Sequence, residues 1–217
     1  DDVLVSCAPV DAVIPALERF LPCLRANGFA TDAGSVKGPI VAEWEARHAG
    51  DGRFVGSHPM AGSERRGAAA AHRELFESRP CFVTPRPESD PASVERVATF
   101  WRGIGAQVSY KTPAEHDAIA ARISHLPHAV AAALARTVPA ADLPFTGGGL
   151  RDCTRIAAGD PGLWRAILLQ NRAAVLAALG TFAASLEELC RAVEADDAET
   201  LDRILSDAKR QRDALGS

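Results

Sequence analysis

The sequence lacks several features that would assign it quickly to a functional class. Its formal net charge of −4 gives no basic footprint for nucleic acid. Neither an apolar run long enough to span a bilayer nor a signal-peptide pattern is evident. No G-x-G-x-x-G turn occurs anywhere in the chain. We therefore expect no nucleic acid and no membrane among the partners of this chain, and a cytoplasmic location.

Cysteine and methionine are also scarce. The five cysteines are an odd number without any C-x-x-C pair, and most fall inside apolar patterns, which predicts buried, reduced thiols rather than disulfides or a zinc site. Met60 is the single methionine, so the chain does not begin at its own start codon. Because it opens almost directly on a predicted strand, we expect a fragment of a longer protein, with a natural shortened form as the alternative.

Short apolar runs alternate with helical patterns over the first half of the chain. This alternation predicts a parallel, doubly wound α/β sheet, of which the second part is present because the glycine-rich turn is missing. We assign residues 1–111 to this domain. The predicted strands are residues 3–7, 29–32, 53–56, 81–84 and 107–110.

From Thr112 onward the pattern changes to helices without strands, so we assign residues 112–217 to an all-helical domain. Pro127 lies inside an alanine-rich helix that it should bend. A long helix is predicted from Pro161 to about Glu194, and its apolar residues alternate steps of four and three, the spacing of a packed seam. Periodicity alone fits a dimer through these helices and an intramolecular hairpin equally well.

One histidine stands out by its position. Residues 53–64 (RFVGSHPMAGSE) read as a short strand that stops at Gly56 and places His58 on a glycine-bracketed loop. Ligands of open α/β sheets bind beyond the carboxyl ends of the strands, and an imidazole there can exchange a substrate proton near neutral pH. A surface loop histidine is the alternative.

A hydroxyl follows an earlier strand in the same way. Ser35 lies after the strand 29–32, where it could meet a cofactor or a hydroxyl-bearing ligand at the start of a helix. An ordinary helix N-cap also explains this serine, and the two roles are compatible.

Two further pairs of residues could take part in a site. His125 and His128 share one helical face; a metal site is the alternative to unmetallated histidines, but no third ligand is evident at a useful spacing. Arg151 and Arg155 are four residues apart beside a glycine-rich turn and could grip a carboxylate, although a surface salt bridge to Asp152 is the commoner fate of such a pair.

Five stretches of the chain carry a joint signal: residues 32–37 (DAGSVK), 56–64 (GSHPMAGSE), 124–128 (SHLPH), 147–155 (GGGLRDCTR) and 160–164 (DPGLW). Taken together, they resemble the prephenate dehydrogenase family, the NAD(P)-dependent enzymes of tyrosine biosynthesis that include arogenate and cyclohexadienyl dehydrogenases. The resemblance implies a Rossmann-type domain followed by an all-helical domain through which two subunits form a homodimer. It also implies oxidative decarboxylation of prephenate, or of arogenate, with NAD or NADP as cofactor.

The resemblance also implies roles for individual residues. His58 would be the catalytic residue that removes the proton of the ring hydroxyl, and Ser35 would assist at that hydroxyl and near the nicotinamide. Arg155 would hold a substrate carboxylate, and Glu64, Asp117 and Arg151 would form an ionic network near the pocket entrance. Five further residues are expected to contact the substrate: His125, His128, Gly148, Arg151 and Trp164. Three are expected to contact the dinucleotide: Ala8, Pro9 and Val10.

The chemistry of the substrate agrees with these residues. Prephenate carries two carboxylates, and loss of carbon dioxide makes its ring aromatic, so no metal or strong acid is needed. Because the phosphate-binding turn is absent, we expect weak dinucleotide binding and a chain that could be inactive as it stands. Two alternatives are a non-catalytic helical dimer that has lost its cofactor and a metal hydrolase that uses His58, His125 and His128.

Overall fold

The computed structural model describes residues 2–62 and 71–216, and the chain divides into a compact unit of residues 1–175 and a second unit of residues 176–217. The strands are β1 (Val3–Ser6), β2 (Phe29–Asp32), β3 (Gly56–Pro59), β4 (Pro80–Thr84) and β5 (Gln107–Tyr110). The α-helices are α1 (Val13–Phe20), α2 (Gly38–Arg47), α3 (Pro91–Gly103), α4 (Pro113–Ala120), α5 (Leu126–Thr137), α6 (Gly148–Thr154), α7 (Pro161–Gln170), α8 (Arg172–Glu194) and α9 (Ala198–Ala214).

The strands form a largely parallel sheet. β1 pairs in parallel with β2, β4 pairs in parallel with β5, and a parallel bridge between Ala30 and Phe54 joins the two groups. The predicted class, an α/β domain followed by an all-helical region, is confirmed. One pairing differs from the prediction, because β3 runs antiparallel to β4.

Helices cover both faces of this sheet. Side chains of neighbouring strand residues point to opposite faces, so Phe54 packs in one core with α1 and α2 while Val55 packs in another with α3. Trp44 is fully buried in the first core and Trp101 nearly so in the second. Burial of both faces explains the apolar run of β4, in which every residue after Pro80 is buried.

Several local expectations are corrected by the structure. The third strand begins at Gly56 rather than ending there, so His58 lies within β3 and not on a loop beyond it. The helix after β2 begins at Gly38, so Ser35 is not its N-cap. Of the five cysteines, Cys81 alone is buried.

The long helix expected from Pro161 is interrupted at Asn171, which separates α7 from α8. The helix containing Pro127 is interrupted by one π-helical turn, Ala121–His125, between α4 and α5. Within residues 2–62 and 71–216, short 3₁₀ turns lie at Leu21–Cys23, Ala140–Phe145 and Arg155–Ala158.

Two helical stretches, Pro113–Thr137 and Arg172–Glu194, are long and apolar enough to cross a membrane by length and composition alone. This differs from the expectation that no such run exists. The core helix of a globular protein passes the same test, and the first stretch carries His116, Asp117 and His125 buried inside its unit.

Candidate active site

A buried ion pair ties the end of β2 to β3. Lys37 and Asp32 are both fully buried and paired with each other, and the Lys37 ammonium also donates to the carbonyl of Ser57 (2.7 Å). The Asp32 carboxylate accepts from the amides of Gly34 (2.8 Å) and Ser57 (3.1 Å). This cluster therefore fixes the segment before Ser35 and the strand that carries His58.

His58 begins a chain of hydrogen bonds that leads into the helical region. Its Nδ1 lies 2.8 Å from Nε2 of His116, and Nδ1 of His116 lies 2.8 Å from Oδ1 of Asp117. His116 is fully buried, and Phe82 packs edge-on against its ring at 5.2 Å. The sequence had given no role to His116.

The carboxylate of Asp117 also caps helix α2. It accepts from the amides of Lys37 (2.7 Å) and Gly38 (2.8 Å), which are free donors at the start of a helix. Burial alone would raise the pKa of Asp117, but the hydrogen bonds from His116 and from these two amides lower it. Asp117 is thus an ionised, buried cap shared by two parts of the site.

Burial keeps the histidines of this region neutral. The pKa of His58 is lowered well below 6.5, first by burial and then by His116, Lys37 and His125. The pKa of His116 is also lowered, with burial the largest cause. Burial lowers the pKa of His125 to about 4. At pH 7 the ring of His58 is therefore a neutral base rather than an imidazolium.

Two cavities meet beside Ser35. The first, about 560 Å³, lies at the carboxyl ends of β1 and β2 and is lined by Cys7, Ala8, Pro9, Val10, Asp11, Ala33, Gly34, Ser35, Asp160, Gly162, Leu163, Arg165 and Ala166. The second, about 470 Å³, is lined by Ser35, His58, Pro59, Met60, Ala61, Gly62, Ser124, Arg155, Ile156, Gly159, Asp160, Leu163, Trp164 and Ile167. Ser35, Asp160 and Leu163 belong to both walls.

The first cavity fits a nucleotide cofactor. Its backbone walls follow two parallel strands, which is where open α/β sheets bind nucleotides. At Gly34 a Cβ would come within 2.8 Å of both Asp32 Oδ2 and Ile40 Cδ1, so a side chain there would disturb the wall. Ala8, Pro9 and Val10, predicted from the sequence to contact the dinucleotide, line this cavity.

Trp164 forms part of the wall of the second cavity, and two predicted substrate contacts lie against it. The ring of His128 stacks on Trp164 with centroids 3.6 Å apart, whereas His125 approaches edge-on at 6.3 Å. Neither histidine is among the residues that line the cavity. Nδ1 of His125 lies 3.1 Å from the amide nitrogen of Asn171, so its role is inside the fold.

The two arginines are separated by the structure. Arg155 lines the second cavity with His58, whereas Arg151 is exposed on α6 and does not line it. Gly148, at the start of α6, is likewise exposed and outside the cavity wall. Glu64 falls outside the described residues, so the predicted ionic network with Asp117 and Arg151 stays a prediction.

The three histidines considered for a metal site do not converge. His58 is bonded to His116, His125 to Asn171, and His128 is stacked on Trp164. Within residues 2–62 and 71–216, no group of three His, Cys, Asp or Glu side chains could hold a metal ion.

His116 and Asn171 were not predicted from the sequence. The signal for His116 was available, because a Thr112–Glu115 capping box fixes the start of α4 and hence the face that carries His116 and Asp117. No comparable signal identified Asn171, whose partners lie 46 and 54 residues away in the chain.

Comparison with known proteins agrees with this arrangement. A family model described as "Prephenate dehydrogenase, nucleotide-binding domain" matches residues 1–110, and one described as "Prephenate dehydrogenase, dimerization domain" matches residues 112–207. The expectation of an inactive chain therefore has no support, because the nucleotide-binding model is matched.

Individual relatives match over nearly the whole chain. The prephenate dehydrogenase of Bacillus subtilis (strain 168) is 34% identical over 219 residues, which is 98% of this chain and 59% of that protein. The cyclohexadienyl dehydrogenase of Zymomonas mobilis is 31% identical over 221 residues, 99% of this chain and 75% of that protein. The chain thus spans about three fifths of the length of the Bacillus subtilis protein.

Two solved structures are similar in fold and sequence. The crystal structure of prephenate dehydrogenase from A. aeolicus, in complex with hydroxyphenyl propionate and NAD+, has a TM-score of 0.90 at 34% identity, covering 99% of this chain and 76% of that chain. The crystal structure of Synechocystis arogenate dehydrogenase has a TM-score of 0.84 at 28% identity, covering 99% of this chain and 79% of that chain.

Proposed function

Because the chain belongs to the prephenate dehydrogenase family, we propose that it oxidises prephenate to 4-hydroxyphenylpyruvate and carbon dioxide with NAD+ as the electron acceptor. The observation that carries the proposal is the junction of the two cavities. A neutral His58 in the second cavity lies close to a wall shared with a cavity that fits a nucleotide. An oxidation of a ring alcohol needs this combination of a base and an adjoining hydride acceptor.

NAD+, when bound, supplies the acceptor for the hydride from the ring carbon that bears the hydroxyl. Ala8, Pro9, Val10 and Ser35 would hold it in the first cavity. In the second cavity His58 takes the proton of that hydroxyl as the hydride leaves. The carbon–carboxylate bond then breaks, its electron pair makes the ring aromatic, and His58 returns the proton to the phenolate oxygen.

The other residues of the second cavity bind and orient the substrate. Arg155 pairs with one of the two carboxylates of prephenate, because a guanidinium can hold a carboxylate with two hydrogen bonds. Ser35 contacts the reacting hydroxyl from the wall shared by the two cavities. Trp164, held by its stacking on His128, forms an apolar side of the pocket against the ring.

The test is an assay of nicotinamide reduction with four combinations, prephenate or arogenate with NAD+ or NADP+. We expect reduction with prephenate and NAD+ and release of carbon dioxide in equal amount. Faster reduction with arogenate would assign arogenate, which carries an amino acid side chain, as the substrate in place of prephenate. No reduction with any of the four combinations would contradict the proposed function.

A further inference from the structure

The hydrogen bonds behind His58 determine where its ring carries a proton. An ionised carboxylate can only accept, so Oδ1 of Asp117 requires a proton on Nδ1 of His116, 2.8 Å away. A neutral imidazole has one N–H, which leaves Nε2 of His116 as an acceptor. That nitrogen lies 2.8 Å from Nδ1 of His58, so Nδ1 of His58 must donate.

This order leaves Nε2 of His58 with a lone pair. The opposite order would place the carboxylate of Asp117 against an unprotonated nitrogen of His116, with two acceptors facing each other inside the protein. A buried acceptor without a donor is unfavourable, because it has given up its hydrogen bonds to water and gained none in return. The neutral state of both rings follows from their burial, which lowers the pKa of each.

The series of hydrogen bonds from His58 through His116 is anchored at Asp117 and is not free to rearrange. Asp117 is held by the backbone amides of Lys37 and Gly38, which cannot reverse their direction of donation. The ring of His116 is fully buried and is held from the side by Phe82. The two amides therefore fix Asp117 as an acceptor, and the packing around His116 holds its ring in place.

We propose that His116 and Asp117 are positioning residues that hold His58 in the tautomer whose unprotonated Nε2 accepts the substrate hydroxyl proton. The catalytic part of this inference rests on the proposed function, because it takes His58 as the base. The tautomer itself does not, and it can be measured without any substrate.

The first experiment is nitrogen NMR of the whole chain labelled with ¹⁵N-histidine, at neutral pH and without ligand. The six histidines are assigned by single substitutions to Gln. We expect His58 and His116 both to carry their proton on Nδ1, with Nε2 unprotonated. A proton on Nε2 of His58 would overturn the proposal, whether or not the chain proves to be a dehydrogenase.

The second experiment compares two replacements of His116. His116→Gln offers an amide oxygen that can still accept from Nδ1 of His58, whereas His116→Phe keeps an aromatic ring against Phe82 but has no acceptor. We expect His116→Phe to lower kcat by about 100-fold or more, with KM within a few-fold, and to move the His58 proton to Nε2. His116→Gln should retain kcat within about 10-fold of the unmodified chain and keep the proton on Nδ1.

His48→Gln is the matched control, since His48 lies at the C-terminal end of α2 and pairs with Glu18. It should change neither kcat nor the tautomer of His58. Equal losses of kcat in His116→Gln and His116→Phe would contradict a positioning role and leave His116 as a structural residue. If either variant fails to fold, the NMR measurement on the unmodified chain still decides the tautomer.

Discussion

His58 combines burial with positive and neutral neighbours, and this combination determines what its ring can do. It is 8% exposed, and His116, Lys37 and His125 act on it from three different segments. Burial disfavours the charged form of an imidazole, and the Lys37 ammonium does the same. The ring is therefore available as a proton acceptor at pH values where an exposed histidine would already be charged.

Replacing His58 should separate chemistry from binding. His58→Asn retains a polar side chain of smaller size in the cavity but removes the base. We expect substrate affinity to stay within a few-fold and kcat to fall by about 10² to 10⁴, the range that general base catalysis contributes. Steady-state kinetics and substrate titration measure the two effects, and an unchanged kcat would remove His58 from the mechanism.

The pH dependence of kcat/KM has a definite sign. A base acts only when unprotonated, so activity should fall as the pH drops through the pKa of His58. Because burial, His116, Lys37 and His125 all lower that pKa well below 6.5, activity should persist at pH values somewhat below 6.5. A pH–rate profile tests this expectation. A loss of activity centred at or above pH 6.5 would show that the ring is more accessible to water than the structure has it.

For single residues, the sequence predicted the lining of the second cavity better than the hydrogen bonds behind His58. His58, Ser35, Arg155 and Trp164 follow from motifs and all line the second cavity. His116 was not predicted, because its importance lies in a contact with a residue 58 positions away. Local patterns carry no information about such a pair unless the packing of α4 against β4 is already known.

Two interruptions of regular helix shape the helical wall of the site. The π turn Ala121–His125 inserts an extra residue per turn, and it lies where His125 faces the interior. Pro127 follows directly after this turn, at the second position of α5. Asn171, between α7 and α8, donates to the carbonyl of Asp117 at 2.8 Å.

The contacts of Asn171 predict a measurable loss of stability. Asn171→Ala would leave the buried carbonyl of Asp117 and Nδ1 of His125 without this donor. We expect the free energy of unfolding to fall by about 1–3 kcal/mol, measured by denaturant titration. Asn27→Ala, at an exposed turn residue, is the matched control and should change it by less than about 0.5 kcal/mol. Similar values for the two variants would contradict the structural role of Asn171.

Element boundaries were predicted well where the chain signals them locally. Asp90 and Thr112 cap α3 and α4: both are followed by proline, and both satisfy free helix amides with their side chains. The third strand was misplaced, because its bounds are set by antiparallel pairing with β4, 21 or more residues later. The break at Asn171 was missed for the same reason, since its cause is tertiary hydrogen bonding.

The second unit, residues 176–217, presents apolar side chains outward. Within it, Arg203 on α9 pairs with Glu188 on α8 at 2.5 Å, so the two helices form a hairpin. Its exposed large apolar residues are Leu176, Phe182, Leu186, Val193, Leu205 and Leu215. The matched dimerization-domain model extends to residue 207. Because exposed apolar side chains mark interaction surfaces and the family has such a domain, we propose that two chains form a homodimer through these helices.

A charged residue in this face should separate the subunits. Leu186 lies on the predicted seam of α8 and is 48% exposed. We expect Leu186→Arg to convert a dimer into a monomer in light scattering, because the guanidinium would be buried without a partner in the interface. Ala184→Arg, on the opposite side of the same helix, is the control and should remain dimeric. Dimers in both variants would place the interface elsewhere.

At the scale of the whole molecule, the order of strands and helices could be predicted from the sequence, because apolar residues recur with the period of the element whose face they bury. The sequence could not distinguish a hairpin from a dimer, since both would cover the same apolar seam. The division near residue 111 that the sequence suggests remains our proposal for the boundary between nucleotide-binding and helical domains.

The wall shared by the two cavities has a thermodynamic consequence. Ser35, Asp160 and Leu163 line both spaces. We therefore expect the binding free energies of the two ligands to be coupled, and linkage makes any such coupling reciprocal. If bound NAD+ raises the affinity of the protein for its substrate by some factor, bound substrate must raise the affinity for NAD+ by the same factor. Calorimetric titrations performed in both orders would measure this one factor twice.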